Sequence, residues 1–477
     1  DPVLDYSGNS STRWFSNAEV EVVFVITAPA YQGKKVGVFG LARTGVAAVE
    51  ALTASGATVY AWDDSAERRE VVKTAARNLY ETDFSELDAL LLAPGVPLTH
   101  PKPHALVTKA LASNTILISD IDVFEAARPT LPAHRTVGIT GTNGKSTTTA
   151  LIGHIIKVCG RPVVVGGNIG TGVLALSALP KDGVYIFELS SFQLDLTQHF
   201  KADVAVLLNV SPDHLDRHGT FENYYAAKKR LFDLQEDRSA VAVIGVDDVS
   251  GQKLAATFQG NMVPISVEGA LERGVYVENG QLFDALESKA KAVGDLSSAK
   301  CLKGKHNWQN AAAAYAVAVN LGLHSQDVFE AILSFPGLVH RQELVEDVGG
   351  VRFVNDSKAT NSDAAIRALQ SFGAIHWIAG GRAKETSFSH MQAAAGSVKK
   401  AYFIGEAAAQ LKHDLAEIPH QVFNSLRDAF DAAIENAVAG ETILLSPACT
   451  AFDQFPDFEK RGDAFRELVM IHKGANS

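Results

Sequence analysis

The chain has 477 residues, of which 47% are hydrophobic and 20% are charged, and its formal net charge is −11. This length predicts about two to four domains, and the composition is typical of a globular enzyme. The acidic balance argues against a nucleic-acid partner, and no apolar run approaches the roughly 18–20 residues of a membrane span. Three widely spaced cysteines argue against a disulfide scaffold. We therefore expect a cytoplasmic protein with no nucleic-acid or membrane partner.

The amino-terminal part of the chain divides into an extension and an α/β domain. Residues 1–25 are polar and turn-rich in part and lack the order of a signal peptide, which predicts a tail or extension. Residues 26–126 are predicted to form a Rossmann-like domain. Its predicted elements are a strand in 34–40, a loop in 41–45, a helix in 46–55, a strand in 57–64, a strand in 87–97, a helix near 104–112 and a strand in 115–120.

The first turn of this domain carries glycines that suit a phosphate contact. Gly37, Gly40 and Gly45 are placed at the turn, and Asp63 follows about 20 residues later at the end of the second strand. The glycine spacing is looser than that of a dinucleotide fingerprint. The pattern therefore predicts a turn that contacts some phosphate, without specifying NAD.

The central domain, predicted at residues 127–337, opens with the most informative motif of the chain. A linker-like stretch with two prolines (127–135) precedes an apolar strand, the loop GTNGKS (141–146) and a helix predicted from Thr147 to Val158. Glycines allow backbone N–H groups to surround phosphate oxygens, and the helix N-terminus adds positive potential. This order predicts a nucleotide-phosphate site.

Two side chains of the loop carry the chemistry. Lys145 can reach the β- and γ-phosphates of ATP or GTP, and the Ser146 hydroxyl can ligate Mg²⁺. The general phosphate-loop pattern would place a glycine at the position of Ile139, so a chance glycine-rich turn is the alternative interpretation. The position between a strand and a helix favours the phosphate site.

Three further polar residues of the central domain are candidates for the same site. Glu188 is predicted to end one apolar strand and His214 the next, while Lys228 lies in a helix predicted over 224–235. Carboxyl ends of parallel strands meet at one sheet edge, and a carboxylate suits Mg²⁺ better than an imidazole does. From pattern alone, Glu188 could be a structural carboxylate, His214 a loop histidine and Lys228 a solvated helix lysine.

The third domain, predicted at residues 338–477, again alternates strands and helices, which predicts a parallel sheet. Its strand-to-loop junctions lie in 350–361, 374–385, 399–405 and 441–455. HRQE (340–343) and NDSKATN (355–361) place an arginine, a lysine and a threonine where a phosphate or a carboxylate could be held. The aromatic residues Phe452, Phe455 and Phe458 fit either a pocket or ordinary core packing.

The motifs together resemble those of the Mur ligases from about residue 34 to the C-terminus. The matching stretches are GTNGKST, GGNIG (166–170), ELSSFQL, NVSPDHLDRH, YAAKKRLF, GKHNWQN, HRQE, NDSKATN and SPACTAFDQF. The resemblance implies an α/β fold with three domains: a Rossmann-like N-terminal domain, a P-loop central ATPase domain with a mostly parallel sheet and a Rossmann-like C-terminal domain. NDSKATN and the GGNIG–ELSSFQL pair imply a ligase for D-glutamate, whereas the diamino-acid ligase carries Asn-Pro-Arg in its third domain.

The resemblance also implies residue roles. The UDP-substrate would contact Gly40, Arg43, Thr44, Gly45, Asp63 and Asn168. ATP would contact Gly141, Thr142, Asn143, Gly144, Lys145, Ser146, Thr147, Asn307, Asn310, Arg341 and Asp356. The amino acid would contact Lys358, Thr360, Lys384, Phe452 and Phe458. Metal would be held by Ser146, Glu188, His214 and Lys228 as a carbamate, and the catalytic residues would be Lys145, His214 and Lys228.

One position departs from the family pattern. Many relatives have a serine where this chain has Ala451, so Thr450 is the candidate substitute for a contact with the amino-acid carboxylate. The amino-acid assignment is therefore open to alternatives.

The reaction that the resemblance implies joins D-glutamate to UDP-N-acetylmuramoyl-L-alanine with ATP and two Mg²⁺ ions, in a monomeric bacterial cytoplasmic enzyme of peptidoglycan synthesis. ATP would convert the substrate carboxylate into an acyl phosphate that the amine then attacks. The alternatives are a related Mur-type or polyglutamate-type ligase for another amino acid, and a nucleotide switch or NAD-binding protein without ligase activity.

Overall fold

A computed structural model describes residues 26–235, 239–287 and 289–475, so the extension predicted at residues 1–25 lies outside the described residues. These residues form two compact units, named here unit 1 (the described residues of Asp1–Leu296, with Lys305–Leu333) and unit 2 (Ser297–Gly304, with the described residues of Ser334–Ser477). Among the described residues, no helix has the length and apolar character needed to cross a membrane.

Unit 1 contains a four-stranded sheet and a nine-stranded sheet. The four-stranded sheet has β1 (Lys35–Phe39), β2 (Thr58–Trp62), β3 (Ala89–Leu92) and β4 (Ile116–Ile118) in the order β2-β1-β3-β4, and all its pairs are parallel. Its helices are α1 (Arg43–Ala54), α2 (Ala66–Val71), α3 (Ala105–Ala112) and α4 (Asp120–Ala127).

The nine-stranded sheet is parallel except at one edge. Its strands are β5 (His134–Thr140), β6 (Val163–Gly167), β7 (Gly183–Glu188), β8 (Val204–Leu207), β9 (Val241–Gly245), β10 (Asn261–Ser266), β11 (Gly274–Glu278), β12 (Gln281–Ala285) and β13 (Lys291–Asp295), in the order β13-β12-β11-β10-β9-β8-β5-β7-β6. The pairs β11–β12 and β12–β13 are antiparallel. Its helices are α5 (Lys145–Val158), α6 (Ser191–Leu196), α7 (Leu215–His218), α8 (Phe221–Asp233), α9 (Val249–Thr257), α10 (Lys305–Asn320) and α11 (Ser325–Leu333).

Unit 2 contains one six-stranded sheet. Its strands are β14 (Glu343–Val348), β15 (Val351–Asn355), β16 (Ile375–Gly380), β17 (Val398–Ile404), β18 (His420–Val422) and β19 (Thr442–Leu445), in the order β14-β15-β19-β16-β17-β18. Only β14–β15 is antiparallel. The helices are α12 (Ser362–Ser371), α13 (Ala408–Asp414), α14 (Leu426–Asn436) and α15 (Phe458–Ala475).

The fold class is therefore α/β with several mostly parallel sheets, as the alternation of strands and helices predicts. The strands β7 and β8 are buried along their whole length, which is why they appear in the sequence as nearly continuous apolar runs. The carboxyl ends of these strands remain as the edge where loops can hold polar groups.

The two sheets of unit 1 pack together through α4. The Asp122 side chain closes the amino-terminal end of α4 with Ser119, and its Oδ1 accepts bonds from the backbone N–H groups of Gln198 (2.8 Å) and His199 (2.7 Å). A capping carboxylate shared in this way fixes both the start of α4 and its position against the larger sheet.

Several predicted boundaries need correction. The helix after the first turn begins at Arg43, within the predicted loop 41–45, and α5 begins at Lys145 rather than Thr147. Gly37 lies inside β1, where a Cβ would approach Leu90 Cδ1 to 2.8 Å, so packing explains this glycine. The predicted linker 127–135 instead contains a 3₁₀ turn, Arg128–Thr130, and the start of β5.

Candidate active site

The loop GTNGKS joins β5 to α5 at the carboxyl edge of the nine-stranded sheet. Gly141 has φ +153° and Gly144 has φ +84°, values that side-chain-bearing residues rarely adopt. The loop is held by Asn209 after β8: its carbonyl accepts from Thr142 N–H (2.8 Å), and its Oδ1 accepts from Asn143 N–H (2.9 Å). These two bonds fix the loop backbone against the segment that follows β8.

Gly144 also makes room for α10. A Cβ on Gly144 would lie 2.3 Å from Asn310 Oδ1, an atom that accepts a bond from Thr148 Oγ1 (3.1 Å). Asn310 Nδ2 in turn donates to Asn307 Oδ1 (3.2 Å). Both predicted asparagines of α10 are therefore buried beside the loop, and Gly144 caps α5 without offering a side-chain acceptor to its first N–H groups.

Two lysine amines meet at one carbonyl oxygen. Lys145 Nζ donates to Gly141 O (2.9 Å) and Thr142 O (2.9 Å), and Lys228 Nζ donates to the same Gly141 O (2.8 Å). Lys228 is only 1% exposed, so the interpretation as a solvated helix lysine is wrong. Burial and the charge of Lys145 hold the pKa of Lys228 well below its usual value.

Glu188 is the last residue of β7, as predicted, and is buried. Its Oε1 accepts a bond from Asn168 Nδ2 (2.8 Å), and its backbone carbonyl accepts from Asn168 N–H (2.8 Å). Its Oε2 is buried and lacks a hydrogen-bond partner. A buried carboxylate oxygen without a donor suits a cation that binds oxygen ligands.

The oxygen atoms available here are of the type that Mg²⁺ binds. They are the unbonded carboxylate oxygen of Glu188 and the hydroxyl of the buried Ser146 at the start of α5. Within the described ranges, no group of three or more His, Cys, Asp or Glu side chains could hold a metal. A metal here would therefore take further ligands from phosphate, water or other groups.

His214 does not end a strand, contrary to the prediction. β8 ends at Leu207, and His214 follows in the loop as the residue before α7, with φ +52°. Its ring lies 4.9 Å from that of Phe192, its Nε2 is 3.6 Å from Asp213 Oδ2, and its side chain is half exposed. After β8 the chain leaves the sheet, and Asn209 and Ser211 bond Thr142 and Asn143 of the GTNGKS loop.

The first turn of the four-stranded sheet brings most of the predicted UDP-substrate residues together. A Cβ on Gly45 would lie 1.9 Å from Gly40 O, so only glycine permits α1 to start so close to β1. Asp63 Oδ2 accepts from Leu41 N–H (2.7 Å). Burial would raise the pKa of Asp63, but bonds from Ser65, Leu41 and Arg68 outweigh it and lower this pKa.

The remaining UDP-substrate candidates lie around the same turn. Arg43 is the exposed first residue of α1, and Thr44 follows it. A Cβ on Gly172 would lie 3.5 Å from Thr44 Oγ1, so α1 contacts the segment that follows Asn168. The two sheets of unit 1 thus contribute neighbouring parts of one surface.

In unit 2, Asp356 lies just after β15 and is buried. Its Oδ2 accepts from Ser446 Oγ (2.8 Å) and its Oδ1 from Gln342 N–H (3.1 Å), next to Arg341. Burial raises the pKa of Asp356 to about 7, although these bonds and the charge of Arg341 oppose the rise. The two residues predicted to reach ATP from this unit are therefore neighbours.

Of the five predicted amino-acid residues, three lie together and two are exposed. Lys358 Nζ lies 3.8 Å from the centroid of the Phe458 ring, and Thr360 N–H donates to Lys358 O (2.8 Å). Lys384 is exposed, and Phe452 is 61% exposed, which makes core packing the wrong interpretation for Phe452. Phe455, by contrast, packs against the core.

Thr450, the candidate substitute for the serine missing at Ala451, already uses its hydroxyl in a hydrogen bond within the protein. Thr450 Oγ1 donates to Arg382 O (3.0 Å), and the backbones of these two residues form an isolated bridge. Ala451 itself is buried. In this structure the Thr450 hydroxyl therefore supports the loop and is not directed to a ligand.

Two residues that the sequence reasoning missed, Asn209 and Arg461, organise these sites. Asn209 holds the phosphate loop, and its Nδ2 donates to Gln309 Oε1 (2.9 Å) on α10. Arg461 on α15 is buried beneath the loops of unit 2. Asn209 directly follows the apolar run of β8, which is a usable signal, whereas Arg461 lies in a helix whose pattern gives no sign of the loops above it.

The arrangement in unit 1 places a glycine-rich loop, two lysines and a buried carboxylate at the edge of a mostly parallel sheet, and comparison with known proteins assigns the family. Residues 139–318 match the model of the Mur ligase middle domain, and residues 340–449 match the Mur ligase, glutamate ligase domain. The chain belongs to the Mur ligase family.

Relatives match over nearly the full length of the chain. A UDP-N-acetylmuramoylalanine--D-glutamate ligase from Phenylobacterium zucineum (strain HLK1) is 47% identical, covering 94% of this chain and 98% of that protein. A ligase of the same name from Paramagnetospirillum magneticum (strain ATCC 700264 / AMB-1) is 43% identical with the same coverage. The UDP-N-acetylmuramate-alanine ligase MurC from Thermotoga maritima shares the fold, with a TM-score of 0.58 at 17% identity over 92% of this chain and 100% of that one.

Proposed function

We propose that this protein is the ATP-dependent, ADP-forming ligase that joins D-glutamate to UDP-N-acetylmuramoyl-L-alanine. The observation that carries the proposal is the 43–47% identity to ligases of that name, because it spans the phosphate loop, the strand-end residues and unit 2 alike. The geometry supports it with a preformed phosphate loop and a buried carboxylate that has one free oxygen. The product is a precursor of peptidoglycan, which links the enzyme to cell-wall growth, cell shape and division.

We propose a three-domain organisation with the boundaries predicted from the sequence. Strands β1–β4 fall within 26–126, β5–β13 within 127–337 and β14–β19 within 338–477, so each range contains one complete sheet. The first domain would hold the UDP part, the central domain ATP and the third domain the amino acid. The enzyme is proposed to act as a cytoplasmic monomer.

ATP is proposed to bind with its phosphates in the loop 141–146. Lys145 would exchange its bonds to the loop carbonyls for phosphate oxygens, and the start of α5 would add its N–H groups. Asn307 and Asn310 would contact the nucleotide from α10. The roles of Arg341 and Asp356 in ATP binding stay predictions that rest on the family resemblance. Mg²⁺, proposed as two ions, would neutralise phosphate charge when bound near Ser146, Glu188 and His214.

The chemistry overcomes the poor reactivity of a carboxylate. An oxygen of the substrate carboxylate attacks the γ-phosphorus and ADP leaves, which gives an acyl phosphate. The D-glutamate amine then attacks the carbonyl carbon, loses a proton, and phosphate leaves through a tetrahedral intermediate. Asn168, already bonded to Glu188, and His214 are proposed to hold the reacting carboxylate, while Lys145 stabilises the transferred charge.

Lys228 is proposed to act as a carbamate. A carbamate forms when a neutral amine attacks CO₂ and releases a proton, and the lowered pKa of this buried lysine favours the neutral amine. The nitrogen would keep its bond to Gly141 O, and the added carboxylate would supply a second metal-binding group beside Glu188.

The amino acid is proposed to bind in unit 2 among Lys358, Thr360, Lys384, Phe452 and Phe458. Lys358 and Lys384 supply positive charge, and the two phenylalanines frame the carbon chain. A related ligase for another amino acid is the second candidate, because Ala451 removes a hydroxyl that many relatives have.

The experiment is ADP formation with UDP-N-acetylmuramoyl-L-alanine and a panel of D-glutamate, L-glutamate, D-aspartate and L-lysine. The proposal expects ADP and phosphate only with both substrates present, and fastest with D-glutamate. Equal rates without the UDP-substrate would identify a simple ATPase, and a clear preference for another amino acid would identify the second candidate.

A further inference from the structure

Arg461, on the first turn of α15, is the only arginine among the largest fully buried side chains of the described residues. It is 1% exposed and lies wholly within unit 2. Burying a guanidinium away from water is costly unless its N–H groups are satisfied. The hydrogen-bond acceptors of the guanidinium therefore indicate the role of Arg461.

The guanidinium binds three different loops. Nε donates to Ser357 Oγ (3.0 Å), and Nη2 donates to Ser357 O (2.9 Å). Nη1 donates to Gly380 O (3.3 Å), and Nη2 also donates to Cys449 O (3.1 Å). Ser357 follows β15, Gly380 ends β16 and Cys449 follows β19, so one side chain ties the carboxyl ends of three adjacent strands together.

Each of these loops carries a residue proposed to bind the amino acid. Ser357 immediately precedes Lys358, Gly380 lies four residues before Lys384, and Cys449 lies three residues before Phe452. The Ser357 hydroxyl also donates to Phe458 O (2.8 Å), which brings the start of α15 into the same cluster. The bonds of Arg461 thus hold the backbone of the three loops that carry the proposed binding side chains.

The loops after β16 and β19 also approach each other closely beside the guanidinium. A Cβ on Gly381 would lie 2.1 Å from Thr450 O and 3.1 Å from Arg461 Nη1. The backbone approach between these two loops is therefore as close as glycine allows. Arg461 is the side chain that adds the loop after β15 to this arrangement.

Arg461 forms no salt bridge across the described part of unit 2, and its hydrogen-bond acceptors are a hydroxyl and backbone carbonyls. Burial lowers its pKa to about 10, while the nearby charge of Asp453 opposes this fall, so the guanidinium stays charged at neutral pH. A buried cation that is bonded to neutral groups adds positive potential to its surroundings, and this favours an anionic ligand.

We propose that Arg461 is a positioning residue for the amino-acid substrate: it fixes three loops in register and adds positive potential for a ligand with two carboxylates. This inference rests on the proposed function. It adds that recognition of D-glutamate depends on Arg461, although Arg461 does not contact D-glutamate. ATP binding in unit 1 does not depend on Arg461.

The test compares Arg461→Met and Arg461→Lys with Lys460→Met, a matched control that removes the exposed neighbouring cation. Kinetics are measured with D-glutamate, ATP and UDP-N-acetylmuramoyl-L-alanine each varied in turn. Arg461→Met should raise the KM for D-glutamate about tenfold or more, as expected for the loss of several charge-assisted bonds. The KM values for ATP and the UDP-substrate should change less than about twofold, and Arg461→Lys should recover part of the loss.

Ser357→Ala is the milder second variant, because it removes one acceptor and keeps the charge. It should raise the KM for D-glutamate about threefold to tenfold, and it carries the test if Arg461→Met does not fold. An unchanged KM for D-glutamate in folded Arg461→Met or in Ser357→Ala would overturn the inference, as would an equal loss towards all three substrates. Failure of the proposed function is separate, since wild-type protein would then form no ADP with D-glutamate.

Discussion

The phosphate loop of unit 1 and the strand-end loops of unit 2 are held in different ways. In unit 1 the side chains proposed to bind ligand also hold the loop: Lys145 bonds two loop carbonyls, and Asn310 bonds Thr148. In unit 2 the exposed residues Lys384 and Phe452 face away from the core, and Arg461 holds the loops from beneath. In unit 1 some proposed ligand-binding residues, such as Lys145, also support the loop alongside Asn209, whereas in unit 2 the exposed binding residues and the supporting Arg461 are different residues.

This difference has a consequence for mutation. Changes in the phosphate loop should alter nucleotide binding and local stability together. Changes among the exposed residues of unit 2 should alter amino-acid preference with little loss of stability, because their side chains carry few of the bonds that hold the loops.

The largest effect is expected for Lys145→Ala. Removing the amine that faces the transferred phosphate should lower kcat for ADP formation about a thousandfold or more. The matched control is Lys157→Ala at the exposed end of the same helix α5, which should keep wild-type kinetics. A Lys145→Ala enzyme with more than about a tenth of wild-type activity would contradict the role of the loop.

Lys228→Ala should lower activity about a hundredfold, since it removes a proposed metal-directed carbamate from a buried position. Short carboxylic acids should restore part of this activity by occupying the vacated space. Lys229→Ala, which removes the neighbouring partly exposed lysine, serves as the control and should change neither rate nor rescue. Full activity in unrescued Lys228→Ala would rule out the carbamate.

Gly144→Ala should raise the KM for ATP about tenfold, because the new methyl group meets Asn310 Oδ1 and φ is +84°. Gly160→Ala is a matched control at φ +77° with open space around its Cβ position. It should cost about 1 kcal/mol of stability from backbone strain and leave the KM for ATP unchanged. Equal KM values for the two variants would show that strain alone matters.

Asp356→Asn tests whether the raised pKa of this buried carboxyl group makes the stability of unit 2 depend on pH. The pKa of Asp356 rises from 3.8 to about 7 on folding, so the folded state binds the proton more tightly. The resulting stability is present below pH about 4 and is lost as pH rises towards about 7, by at most about 4 kcal/mol. Calorimetric melting should therefore show wild type losing stability relative to Asp356→Asn across this window; a constant difference would contradict the raised pKa.

The smallest effect is expected for Thr450→Val. Its hydroxyl bonds Arg382 O, so its removal should cost about 1 kcal/mol and leave the KM for D-glutamate unchanged. Thermal melting and substrate titration measure the two effects. A raised KM without lost stability would mean that Thr450 contacts the amino acid directly.

Much of the fold follows from local pattern. Short apolar runs such as those of β7 and β8 end near polar residues, and parallel strands buried on both faces leave this signature. The antiparallel strands β11–β13 were not predicted, since their short alternating segments resemble loops. The start of α1 was also misplaced, because the close approach of Gly45 to Gly40 depends on tertiary packing.

The site was predictable where a residue follows directly from a strand, as Glu188 and Asp356 do. The position of His214 was not, because six residues lie between it and the end of β8. The burial of Lys228 could not be predicted from its helix, because Lys228 is one of three consecutive basic residues in the stretch AKKR (227–230). The role of Arg461 was not predicted, because most of its hydrogen-bond acceptors are backbone carbonyls, which no sequence pattern indicates.

The most direct test of the central claim, that ATP activates the carboxylate of the UDP-substrate, uses UDP-N-acetylmuramoyl-L-alanine labelled with ¹⁸O in that carboxylate. Phosphate released in the presence of ATP and D-glutamate is then analysed by mass spectrometry. Transfer of one ¹⁸O atom from the carboxylate to phosphate is the predicted result, because the attacking oxygen leaves with the phosphoryl group. Unlabelled phosphate would show that ATP is hydrolysed by water and would contradict the account.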